Sequence, residues 1–190
     1  MTNKFDAIVI GGSAGAMKAL AIMLPYFPEN YPLPVIVVLH LHPRQNHYFL
    51  EHYNRLCALN VKEADEKENI QGGYVYFAPP NYHLLVEDNK SFSLSTDEKV
   101  NYCRPSIDVL FESAAYAYGA RLAAIILTGA NNDGAEGLRL IKEKGGLVIV
   151  QDPQSAENSY MPEAALQVVT PDLILGLPEI GRWLAESAQP

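Results

Sequence analysis

"VIGGSAGA", residues 9–16, closes an apolar run from Ala7 to Ile10 and opens into "MKALAIMLPYF", whose apolar residues recur at helical spacing. A buried strand, a glycine-rich turn and a helix over 15–26, in that order, begin an alternating α/β chain. The turn fits two chemistries. Gly12-Ser13-Ala14-Gly15 suits a loop cradling a dinucleotide phosphate, while Gly11-Gly12-Ser13-Ala14-Gly15 suits G-x-S-x-G, with Ser13 presented as a nucleophile.

Outward from this turn the same alternation repeats. "VIVVLH" (35–40) precedes a helical stretch over 45–58, "LAAIILTG" (122–129) precedes another over 133–144, and "GLVIV" (146–150) follows. Near-continuous Val, Ile and Leu runs are the mark of strands buried on both faces, so the expected class is α/β: a three-layer, doubly wound, mostly parallel, Rossmann-like sheet. One section departs from it. "YVYFAPPNYHLLVEDNKSFSLSTDE" carries three strand-like runs (74–78, 82–86 and 91–95) separated by turn residues, and reads as an antiparallel hairpin extension. Pro105 then starts a helix with apolar residues at 107, 110, 111, 114 and 118, and Gly119 ends it.

Composition narrows the function. At 190 residues and 48% hydrophobic content the chain suits a single domain with a substantial core. Fourteen Lys and Arg against 22 acids leave a net charge of −8 with no basic cluster, which disfavours nucleic-acid binding. The N-terminal apolar stretch is too short for a signal core, and no window of about 18 apolar residues exists, so a cytoplasmic protein without membrane insertion is expected. Cys57 and Cys103 lie outside any C-x-x-C and read as packing cysteines.

The phosphate-loop reading fits poorly. A dinucleotide fingerprint would place its first glycine on Ile10, and the second strand ends in His40 where an acid should hold the ribose. The nucleophile reading uses the same residues. Ligands bind beyond the carboxyl ends of parallel strands, where Ser13 and His40 emerge from neighbouring strands about 5 Å apart. Asp133 follows the strand on the other side of the first and supplies an acid to orient the imidazole. Each residue has a plainer role: a small turn residue, a capping histidine, and an N-cap for the helix at "GAEGLRL". The chain order Ser, His, Asp, with the serine after the first strand, excludes the α/β-hydrolase fold.

The chain resembles the catalytic domain of the chemotaxis receptor-glutamate methylesterases, CheB. The resemblance rests on six blocks in order: "VIGGSAGA", "VIVVLHLHP", "VYFAPPNYHLLV", "CRPSIDVLFESAA", "ILTGANNDGAEGL" and "VQDPQSAENSYMPEAA". It implies hydrolysis of γ-glutamyl methyl esters on the cytoplasmic helices of chemoreceptors, with glutamine deamidation as a related activity. The family's serine, histidine and aspartate fall on Ser13, His40 and Asp133. Two departures stand out: Ala14, Gly15 and Ala16 replace the usual Thr-Gly-Gly, and Ala130 replaces a methionine. The backbone N–H groups of Ala14 and Ala130 remain the expected oxyanion donors. The family often carries a receiver domain, which this sequence lacks, so such a domain would belong to another chain or to a longer protein.

Other candidates are weaker. His83, Arg104 and Met161 are expected to line the site, while His52 belongs to a solvated helix face. His40, His42 and His47 have no convergent ligand spacing and no nearby cysteine, so no metal or other cofactor is expected. A nucleotide- or flavin-binding module and a catalytically silent receptor-binding domain remain the alternatives. Receptor helices are commonly acidic, as is this protein, so long-range attraction between them is not expected.

Overall fold

A computed structural model describes residues 4–40 and 48–187. The chain runs β1 (Ala7–Gly12), α1 (Ala16–Met23), β2 (Val35–Leu39), α2 (Tyr48–Leu56), β3 (Asn60–Glu63), β4 (Tyr74–Phe77), β5 (His83–Val86), β6 (Phe92–Ser95), α3 (Ile107–Tyr118), β7 (Leu122–Ile126), α4 (Ala135–Glu143), β8 (Leu147–Gln151), α5 (Tyr160–Val168), β9 (Leu173–Leu175) and α6 (Leu177–Ser187). Seven strands form one parallel sheet in the order β3-β4-β2-β1-β7-β8-β9. The expected doubly wound class is the one observed.

Strand alternation builds the two outer layers. Ile8, Ile10, Val35, Val37 and Ile125 face Leu20 and Met23 of α1 and Ile180 and Leu184 of α6. Val9, Ile36, Val38, Ala124 and Ile126 face the opposite layer, where Leu110 and Phe111 of α3 meet Leu138 and Ile141 of α4. β1, β2 and β7 are therefore buried along their whole length, which is why their sequences are unbroken apolar runs.

Two expectations need correction. Tyr74–Phe77, read as the first strand of the hairpins, instead pairs in parallel with β2 and β3 inside the main sheet. Val75 and Phe77 bury on one face and Tyr76 on the other, an environment that a hairpin with one solvated face does not provide. Among the described strands only β5 and β6 pair antiparallel, as a separate two-stranded sheet against α3. In addition α3 begins at Ile107, because Ser106 after Pro105 is extended (φ −105°, ψ 139°). The expected start of the helix over 45–58 falls at 45–47, outside the described residues, and α2 is observed from Tyr48. No described helix is long and apolar enough to cross a membrane.

Candidate active site

Strand register places the first two candidates side by side. Gly12 pairs with Leu39, so Ser13 and His40 are the next residues of adjacent strands, and the His40 N–H donates to the Gly12 carbonyl at 3.3 Å. Beyond Ser13 the chain turns into α1 through Gly15, whose φ of +83° is a left-handed conformation that side chains disfavour. Beyond β7 it turns into α4 through Gly134 at φ +97°.

Thr128 locks these two turns together. Its carbonyl accepts from the Ser13 N–H at 3.0 Å, and its hydroxyl donates to the Ala14 carbonyl while accepting from the Asn158 N–H, both at 2.8 Å. Its own N–H donates to the buried Gln151 side chain at 2.8 Å. The Ser13 hydroxyl is left partly exposed and, among the described residues, without a hydrogen-bond partner.

Asp133 is wholly buried and collects five donors. Oδ2 accepts from His40 Nε2 at 2.8 Å and the Ile107 N–H at 2.6 Å. Oδ1 accepts from Asn101 Nδ2 (2.8 Å), Ser106 Oγ (2.7 Å) and the Asp108 N–H (3.2 Å). The carboxylate therefore caps α3, where two of its donors are otherwise orphaned backbone N–H groups, and not α4, whose N-cap is Gly134. Burial works to raise the Asp133 pKa, but the hydrogen bonds from His40, Asn101, Ile107 and Ser106 outweigh it and hold the group below its ordinary value.

An ionised carboxylate only accepts, so His40 Nε2 carries the hydrogen and Nδ1 is the basic nitrogen of the neutral ring. Nδ1 faces Asn131 Nδ2 at 3.2 Å and Cys103 Sγ at 3.7 Å. Burial alone would lower the His40 pKa, but Asp133 and Cys103 push it up to about 9. Cys103 thus corrects the sequence reading of a packing cysteine with no cysteine near His40. It reaches the imidazole because α3 docks its N-terminus on Asp133 and draws residues 101–105 with it.

The remaining candidates divide. The N–H groups of Ala14 and Ala130 make no hydrogen bond within the described chain, and both residues are exposed at the site. Met161 is buried beside them: its N–H donates to the Gly129 carbonyl at 2.9 Å, and a Cβ on Gly129 would lie 2.6 Å from its sulfur. His83 is a brace behind the site, with Nε2 donating to the Glu98 carbonyl at 2.9 Å and Nδ1 accepting from the Ser106 N–H at 3.2 Å. Arg104 turns away to the Thr96 and Asp97 carbonyls at 2.7 and 2.8 Å. His52 is exposed, and His42 and His47 lie outside the described residues.

A carboxylate–imidazole pair and a partly exposed serine, with the serine and the histidine at the carboxyl ends of adjacent parallel strands, match the layout of a nucleophilic hydrolase. The chain belongs to the CheB methylesterase family, whose model matches residues 8–184. A Leptospira interrogans protein is 49% identical over 176 residues, covering 93% of this chain and 91% of its own length. A Pseudomonas aeruginosa protein named protein-glutamate methylesterase/protein-glutamine glutaminase 1 is 37% identical over 186 residues, 97% of this chain. This chain spans about half of that relative's length, 50%. The crystal structure of the Thermotoga maritima CheB methylesterase catalytic domain superposes with a TM-score of 0.91 at 32% identity, covering 96% of this chain and 98% of the other.

Proposed function

We propose that this chain hydrolyses γ-glutamyl methyl esters on the cytoplasmic helices of chemoreceptors, with Ser13 as nucleophile, His40 as base and Asp133 as the group that orients it. The observation that carries the reading is the Asp133–His40 hydrogen bond, which fixes the hydrogen on Nε2 and leaves Nδ1 as the base one residue past the strand pair that also delivers Ser13.

In this mechanism Ser13 Oγ attacks the ester carbonyl as its proton passes to Nδ1 of His40, and Asp133 stabilises the imidazolium that forms. The tetrahedral oxyanion sits against the unbonded N–H groups of Ala14 and Ala130, where each donor is worth about 10² to 10³ in rate. Collapse breaks the bond to the methoxy group, which takes the proton from Nδ1 and leaves as methanol. Water, deprotonated by the same nitrogen, then attacks the glutamyl–serine ester; Ser13 Oγ leaves, takes that proton back from Nδ1, and the glutamate carboxylate is freed. A glutamine side chain enters the same sequence with ammonia leaving in place of methanol. The substrate places the reaction in the cytoplasm, and a receiver domain on the same or another chain is the regulatory partner this reading expects.

The nucleotide-binding alternative is disfavoured by the turn itself. The Ser13 N–H, which a phosphate loop would offer to its ligand, is spent on the Thr128 carbonyl. The test is methanol release from a methylated receptor cytoplasmic fragment, by wild type and by Ser13→Ala of matched circular dichroism. Release by the first and not the second is expected; release unchanged in Ser13→Ala overturns the mechanism.

A further inference from the structure

Two electron-pair donors converge at this site, and the proposed hydrolysis needs only one of them. His40 Nδ1 and Cys103 Sγ stand 3.7 Å apart. A tetrahedral zinc ion with Zn–N of about 2.0 Å and Zn–S of about 2.3 Å separates its nitrogen and sulfur ligands by about 3.5 Å. His40, Cys103 and Asp133 form a group whose ligand atoms all lie within 4.8 Å of one another.

We propose that His40 Nδ1 and Cys103 Sγ together bind a thiophilic divalent cation such as Zn²⁺, which occupies the base and reversibly shuts off the esterase. Asp133 acts one step back. Its oxygens already accept five hydrogen bonds, and one of these holds the hydrogen of Nε2 so that Nδ1 presents its lone pair. A carboxylate behind a metal-bound histidine is the arrangement that fixes the ring and raises its basicity as a ligand. The thiol gives up its proton to solvent as the metal–sulfur bond forms, and water fills the other positions. Asn131 is the internal competitor. Its Nδ2 reaches both donor atoms, at 3.2 Å from Nδ1 and 3.6 Å from Sγ, so an N–H now sits where both electron pairs point and a cation must displace it. The ion is an inhibitor, because the nitrogen it occupies is the one that must take the Ser13 proton. That consequence rests on the function proposed above; the binding does not.

The test therefore begins without substrate. Cobalt(II) titrated into the purified protein is expected to give a thiolate-to-cobalt charge-transfer band at one ion per chain. The band should persist in Cys57→Ser and vanish in Cys103→Ala. Absence of the band from wild type, or its survival in Cys103→Ala, overturns the proposal. Should Cys103→Ala fail to fold, alkylation of the wild type replaces it: zinc should slow iodoacetamide labelling of Cys103, read by peptide mass, and equal labelling with and without zinc counts against the site. In the methanol assay zinc should inhibit wild type and a chelator restore it. Relative to each protein's zinc-free rate, Cys103→Ala should need about tenfold more zinc or above. Zinc inhibition equal in the two proteins contradicts the proposed regulation. A protein that binds cobalt through Cys103 but releases no methanol in the absence of metal contradicts the esterase reading alone.

Discussion

In the proposed mechanism His40 and Asp133 set the chemistry through opposite pulls on their protons. The aspartate is held ionised by five donors, and the imidazole beside it is raised to about 9 despite its burial. The base form of His40 therefore grows as pH rises, and the acid limb of kcat/KM for methanol release should lie well above the ordinary histidine value of 6.5, toward 9. Asp133→Asn should move that limb down and cut kcat by about 10⁴-fold, since the amide can reverse the ring's hydrogen assignment. A limb at or below the ordinary value in wild type contradicts the coupling. The same pair contributes to stability with a defined sign. Its folded-state pKa is raised, so the contribution is complete below pH 6.5 and is lost as pH rises through about 9. Thermal scans should show wild type losing its advantage over His40→Ala across that interval.

At the scale of elements, the site is a consequence of how α3 is anchored. Its first N–H groups and the Ser106 hydroxyl converge on Asp133, so helix capping and orientation of the acid are one interaction. Ser106→Ala removes a buried hydrogen bond to a charged group and should cost about 1.5–3 kcal/mol in urea denaturation. Gly134→Ala should cost about 1–3 kcal/mol, because φ of +97° is strained for alanine and the new Cβ would lie 2.6 Å from Ile107 Cγ2. This anchoring also explains what the sequence showed and what it hid. Ser13 and His40 were legible because each directly follows a fully buried strand, and Asp133 because it sits in the loop after a third. Cys103, Asn101 and Ser106 were not legible. They reach the centre through a contact between residues 101–108 and Asp133, about 30 positions apart in the chain, and no local periodicity records it. The neighbouring Asn131-Asn132 pair gave no way to tell from sequence which amide turns toward His40.

For the whole molecule, two apolar layers on one parallel sheet carry the stability, and the strands' carboxyl ends carry the proposed site. The class was readable because β1, β2 and β7 are buried on both faces and so have no polar alternation. The edges were harder to read: β3, Asn-Val-Lys-Glu, has a single apolar residue, and β9, Leu-Ile-Leu, is apolar but only three residues long, too short to tell a strand from a helix segment. Charge also acts at this scale. A net charge of −8 opposes approach to an acidic receptor helix, and screening should relieve it. The KM for a methylated receptor fragment should therefore fall as ionic strength rises from about 0.05 to about 0.3 M; a rising KM would point to a local cationic docking patch that outweighs the net charge. Covalent trapping shows whether Ser13 is the attacking group activated by His40. A fluorophosphonate should leave one adduct, mapped by peptide mass to Ser13, abolish methanol release in proportion to labelling, and fail to react with folded His40→Ala. Methanol release that survives complete labelling of Ser13, or an adduct that maps elsewhere while activity is lost, would contradict it.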